Sequence, residues 1–230
     1  MSLYSFYRRV YEKRFPPRRY YAKDLPFFVN KETILDIGCG RGLFLESSPD
    51  RIVGLDQNPG SVAFCKQKGL NCIQGSCLTL PFEDSSVDGV YCSHVIEHLN
   101  WEDALRLVEE IDRVLKHEGV VVIKTPLPNA HFYDDPTHLK PYSPSAVLSL
   151  FGTTEKGQPT FISSVGDYGF VCIRWDRDLL HRPLVPPSID PKKFWLSMAL
   201  RGASIFLAQF GIRRIKRDGY TLVLEKKRLK

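Results

Sequence analysis

Between residues 33 and 125, short apolar, β-branched runs alternate with stretches of helical periodicity. TILDIG (33–38), RIVGLD (51–56), NCIQG (71–75), VDGVYCS (87–93) and VVVIKTP (120–126) read as strands. RGLFLESS (41–48), NPGSVAFCKQKG (58–69) and WEDALRLVEEIDRVLKHEG (101–119) read as the helices between them. Asn58 and Asn100 suit helix caps, Pro59 a first turn, and Gly69 and Gly119 the helix ends. Leu105, Val108, Ile111, Val114 and Leu115 form an apolar stripe on the third helix. Such alternation implies an α/β fold with a mostly parallel sheet covered by helices on both faces. Beyond Pro126 the pattern loosens into a polar, proline-rich loop of about twenty residues, a length that points to function rather than connection. SPSAVLSLFG (143–152) then reads as a short helix, GFVCIRW (169–175) as a strand, KKFWLSMALRGASIFLAQFG (192–211) as a helix and YTLVLEKK (220–227) as a last strand.

Composition changes this picture little, but charge and cysteine usage add to it. The 230 residues suffice for one large domain, and 43% hydrophobic with 25% charged residues is ordinary for a globular chain. The opening MSLYSFYRRVYEKRF has no apolar run followed by a small-residue cleavage site, so no secretory signal is expected. Six cysteines lack CxxC or scaffold spacing, which suits reduced thiols and a cytoplasmic location. The net charge of +6 is segregated: residues 1–23 and 212–230 are each strongly basic, and the middle is acidic. Basic ends are solvated surfaces or contacts for RNA, anionic lipid or an acidic substrate.

Candidate chemistry begins where the first strand ends, in DIGCGRG (36–42). Glycines at 38, 40 and 42 let the backbone turn sharply and approach a ligand, and a following helix would offer free N–H groups. Asp56 ends the second strand, where a carboxylate can accept from both hydroxyls of a ribose. The spacing is G-x-G-x-G, neither the dinucleotide pattern nor a Walker loop. With ILDIGCGRG, GLD at 54–56, GSCLTLPFEDSSVDGVYCSHVIEHL at 75–99 and this order of elements, the chain resembles the class I S-adenosylmethionine-dependent methyltransferases. The likeness is to the broad methyltransferase-domain group that includes the quinone-pathway O-methyltransferases; it covers roughly 33–175 and the last strand. It implies a Rossmann-like seven-stranded sheet with an antiparallel last strand and S-adenosyl-L-methionine across the carboxyl ends. It also implies that Asp36, Gly38, Cys39 and Gly40 flank the methionine part, and that Asp56 holds the ribose with Gln57 beside the adenine. Ser76 and Cys77 would meet the adenine edge, Ser76 standing where relatives often have aspartate. Ser93 and His94 would close near the sulfonium.

HVIEH, residues 94–98, matches the inverted zinc-protease pattern H-x-x-E-H. That site needs both histidines on one helical face, whereas a strand runs up to His94 and the next helix starts after Asn100. A strand-to-helix turn excludes the peptidase geometry. In the small-RNA 2′-O-methyltransferases and a ubiquinone-pathway O-methyltransferase, a Glu-x-x-Glu-His stretch at this place holds a divalent metal. The resemblance therefore implies His94, Glu97, His98 and His138 as ligands, with His94 in place of a carboxylate. Three imidazoles and one carboxylate favour zinc, iron or manganese over magnesium. The alternative is that HVIEH merely makes the turn, and that His138 or His94 is the base for an acceptor hydroxyl.

The resemblance divides the chain into a basic, aromatic N-terminal segment (1–30), a substrate lid, and a methyltransferase domain (31–230) with a helical insertion at about 180–215. Residues 194–210 are apolar but short and interrupted by Arg201, which suits a helix on the sheet, peripheral membrane contact or a homodimer rather than a spanning helix. The expected activity is methyl transfer to an oxygen of a small-molecule or lipid-linked acceptor. The alternatives are a metal-assisted RNA 2′-O-methyltransferase and a non-catalytic cofactor-binding scaffold.

Overall fold

The computed structural model describes residues 21–128, 132–152, 168–182 and 214–228. Six strands, β1 (Ile34–Ile37), β2 (Ile52–Asp56), β3 (Cys72–Gln74), β4 (Val87–Ser93), β5 (Leu115–Pro126) and β7 (Arg214–Arg228), form the body of a sheet. A further edge segment, β6 (Tyr168–Arg182), pairs antiparallel with β7, and the order is β3-β2-β1-β4-β5-β7-β6. β1 to β5 pair in parallel, and β7 runs antiparallel to β5. This is the mostly parallel sheet that the alternation implies, with the Rossmann-like order and antiparallel last strand that the resemblance implies.

Among the described residues, α1 (Pro59–Gln67), α2 (Trp101–Val114) and α3 (Pro144–Leu150) accompany the sheet. Asn58 caps α1 by accepting from the Gly60 N–H, and Asn100 caps α2 by accepting from the Asp103 N–H. α2 buries Ala104, Leu107, Val108, Ile111 and Val114 against Leu35, Ile37, Val90, Cys92, Val121 and Ile123. Phe28, Phe44, Tyr91 and Val122 belong to a second core cluster, with Phe44 stacked on Tyr91 at 4.0 Å between ring centres.

Two expectations are corrected. RGLFLESS forms only a 3-10 turn at Leu45–Ser47, because the glycine turn leaves too few residues before Pro49 for a cooperative helix. α2 stops at Val114 rather than near Gly119, since Leu115 and the Lys226 ammonium bound to the Asp112 and Leu115 carbonyls draw the chain into β5. The expected helix at 192–211, the insertion at 180–215 from residue 183 onward, and the first twenty residues of the N-terminal segment lie outside the described residues. Among the described residues, no helix is long and apolar enough to cross a membrane.

Candidate functional site

The carboxyl ends of β1 and β4 converge on a cleft of about 280 Å³. Its lining includes Asp36, Gly38, Cys39 and Gly40 from the glycine turn, Tyr91, Ser93 and His94 from β4 and its end, and Tyr21 from the N-terminal segment. Register explains the convergence: Asp36 lies opposite both Gly54 and Tyr91 in the parallel ladders.

The turn depends on its glycines for two separate reasons. Gly38 has φ +69°, and a Cβ there would come within 2.4 Å of Val95 Cγ2. Gly40 has φ +53°, and the space a Cβ would take is open, so its backbone faces the cleft unobstructed. Asp56 ties the turn together: its Oδ2 accepts from the Gly40 N–H and its Oδ1 from the Asn58 N–H, both at 2.8 Å. Each oxygen keeps capacity for a further donor, as a ribose hydroxyl would supply. We expect Gly38→Ala to weaken cofactor binding about tenfold or more, since the new methyl must displace Val95 beside His94. Calorimetric titration checks this, and unchanged affinity would contradict it.

Asp36 is nearly fully buried, and no described residue gives it a cation. Burial, reinforced by Asp56, raises its pKa well above 3.8. The unfolded carboxyl titrates near that ordinary value, so retention of the proton favours the fold below it and this contribution is lost as pH rises through the folded-state pKa. We therefore expect Asp36→Asn to stabilise the ligand-free protein at neutral pH and flatten its stability profile above pH 3.8. Thermal denaturation across pH measures this, and a less stable variant at pH 7 would overturn it.

Do these groups suit S-adenosyl-L-methionine? A buried carboxylate to which no described residue gives a cation matches the ammonium of the methionine part, and the unobstructed Gly40 backbone matches close approach of the ligand. Ser93 Oγ, beside them, is buried without a hydrogen-bond partner. Asp36, Gly38, Gly40 and Asp56 would hold the molecule, whose sulfonium supplies the transferable methyl. Gln57 and Ser76 are exposed and Cys77 half-buried near the same edge, outside the lining of the cleft. The Ser76 hydroxyl accepts from the Leu78 N–H.

HVIEH occupies a turn, as its flanks imply, with only a 3-10 segment at Ile96–His98. Its side chains divide into two groups. His94, at φ +59°, places Nδ1 3.0 Å from Glu97 Oε1, while the other Glu97 oxygen accepts from the Thr125 hydroxyl at 3.2 Å. Glu97, His98 and His138 form the second group, with one ligand atom of each within 4.8 Å of the others. His98 Nδ1 lies 3.0 Å from the Thr137 carbonyl and His138 Nδ1 2.7 Å from the Phe132 carbonyl. A carbonyl only accepts, so both rings carry a proton on Nδ1, and Nε2 is the nitrogen through which each neutral ring could bind a metal. That is the tautomer of metal-bound histidine, held by outer hydrogen bonds. His94 stands apart from this cluster. The Leu139 and Lys140 N–H groups donate to the Glu97 carbonyl, docking the His138 loop on the turn.

Sequence reasoning missed the buried support. Asp24 Oδ2 accepts from Lys124 Nζ at 2.7 Å and from the Tyr91 hydroxyl at 3.0 Å, all three being buried. One turn before Asp24, Tyr21 reaches the cleft. The available signal was Lys124 itself, a lone charge within the apolar run VVVIKTP.

A family model described as a methyltransferase domain matches residues 35–123. A Mycolicibacterium smegmatis protein named a probable S-adenosylmethionine-dependent methyltransferase is 37% identical over 98 residues, 40% of this chain and 37% of that protein. A Mycobacterium ulcerans protein named a probable phthiotriol/phenolphthiotriol dimycocerosates methyltransferase is 34% identical over 103 residues, 40% of this chain and 38% of that one. The match thus spans well under half of these relatives. A solved SAM-dependent methyltransferase from Archaeoglobus fulgidus shares the fold at a TM-score of 0.61 with 23% identity, covering 97% of this chain and 100% of its own. Residues 35–123, which hold the glycine turn and the carboxylate ending β2, thus match a methyltransferase-domain family, and the chain shares the fold of a solved SAM-dependent methyltransferase.

Proposed function

We propose that the protein transfers a methyl group from S-adenosyl-L-methionine to an oxygen of a small or lipid-linked acceptor, with His94 as general base. The observation that carries this is the His94–Glu97 pair at the cleft, 3.0 Å apart with the carboxylate fully buried. A carboxylate accepts the Nδ1 proton, which leaves Nε2 free to take the acceptor's hydroxyl proton. As that proton leaves, the oxygen forms a bond to the methyl carbon and the carbon–sulfur bond breaks, giving a neutral thioether. Charge disappears from sulfur during the reaction, so positioning contributes more than electrostatic stabilisation. An apolar acceptor is supported by Tyr133 and Leu139, 70% and 65% exposed on the loop that carries His138, and by the lipid substrate in the mycobacterial relative's name. Basic ends would favour peripheral contact with an anionic membrane.

Incubation with methyl-labelled cofactor and fractionated extract tests the reading. Label in an organic-soluble fraction is expected, base-resistant as an ether is. Label lost on nuclease treatment would replace this acceptor with RNA, and tight cofactor binding with no labelled fraction would favour a scaffold.

A second reading rests on the tautomers of His98 and His138. Glu97, His98 and His138 would hold a divalent cation, whose chemistry is to polarise an acceptor oxygen. Thiol-free, tag-free protein should then retain zinc, iron or manganese by elemental analysis, and His138→Ala should release it. A metal-free preparation with full activity in chelator would remove this reading.

A further inference from the structure

Cys39, Cys65 and Cys72 come from three different elements: the glycine turn, α1 and the first position of β3. All three are buried, and their sulfurs lie within 4.8 Å of one another, with Cys39 and Cys72 at 3.4 Å. Room for them depends on glycines. A Cβ on Gly54 would stand 2.7 Å from Cys39 Sγ, and one on Gly42 would stand 3.0 Å from Cys65 Sγ.

Cysteines often serve as small apolar side chains, and packing alone would account for their burial. Packing gives no reason for three sulfurs from separate elements to converge on one point. Metal–sulfur bonds of about 2.3 Å place the three sulfurs of a planar site about 4.0 Å apart. That spacing is a little wider than the 3.4 Å Cys39–Cys72 contact and inside the 4.8 Å within which all three sulfurs lie. We propose that Cys39, Cys65 and Cys72 form a three-sulfur binding site for a thiophilic d10 cation beneath the glycine turn.

The donor set decides the class of cation. Sulfur ligands select soft ions such as copper(I), cadmium(II) or mercury(II) and reject magnesium and calcium. Without the ion the thiols stay protonated: burial pushes Cys65 up to about 11 and Cys39 well above its usual value. Binding breaks three S–H bonds, forms three metal–sulfur bonds and sends three protons to solvent. The Cys65 thiol, which now donates to the Gly40 carbonyl at 3.4 Å, would give up that contact.

Cadmium(II) titration of the reduced full chain, read by sulfur-to-cadmium charge-transfer absorption and by protons released into weak buffer, tests the site. The expected result is saturation at one cadmium per chain with about three protons per ion. Cys65→Ala and Cys39→Ala should each abolish that saturating band, whereas Cys77→Ala should leave it. Because substitutions in the triad could unfold the protein, X-ray absorption on the wild type gives an independent measure: three sulfur neighbours are expected. Oxygen or nitrogen neighbours, fewer protons, or a band indifferent to folded Cys65→Ala would overturn the proposal.

Discussion

His94→Ala lowers turnover by about 10²- to 10⁴-fold, the usual contribution of a positioned general base, while cofactor affinity changes little. The split follows from geometry. His94 sits at the rim of the cleft, and its strongest partner is Glu97 rather than any part of the glycine turn that would hold the cofactor. Glu97→Gln provides a second readout. The amide can no longer act as a charged acceptor for the Nδ1 proton, so the imidazolium formed during the reaction loses its stabilising partner and turnover falls while cofactor affinity holds. A variant with unaltered rate, or with turnover and cofactor affinity lost in equal measure, would remove His94 from the chemistry. Stopped-flow and steady-state measurements with whichever acceptor the labelling experiment identifies would distinguish these outcomes.

Lys124→Met destabilises the fold by about 3–5 kcal/mol, because it leaves the Asp24 carboxylate buried without its cation. Methionine keeps much of the volume, so a cavity contributes little to the loss. The Tyr91 hydroxyl still donates to Asp24, but one neutral donor compensates a buried charge poorly. Adding Asp24→Asn to Lys124→Met removes the stranded charge and should recover most of the stability. Urea denaturation shows the difference as a shift in midpoint at constant slope. Equal stability of the single and double variants would mean that the pair is not coupled.

How much of this was legible in the sequence differs between backbone and site. Strand positions followed from apolar runs bounded by turn residues, and the caps at Asn58 and Asn100 were readable because capping is local chemistry. Asp36, the glycines and Asp56 form one local unit whose spacing carries the cofactor reading. HVIEH could be placed in a turn from its flanks, yet its division into a His94–Glu97 pair and a Glu97–His98–His138 cluster could not. That division depends on χ angles and on a loop forty residues later docking on the Glu97 carbonyl. Asp24 and Lys124 were still less accessible, since partners 100 positions apart leave no periodicity to detect. The end of α2 was misread because helical patterning continued past the residue at which tertiary contacts took over.

The recurring family pattern starts at residue 35, but the unit that folds cooperatively starts earlier. Asp24 lies upstream of the matched stretch and pairs with Lys124, one residue past its other edge, so a fragment that begins at residue 35 and keeps β5 would bury that ammonium without the Asp24 carboxylate. Domain shuffling or truncation of this chain should succeed only where the cut falls upstream of that aspartate.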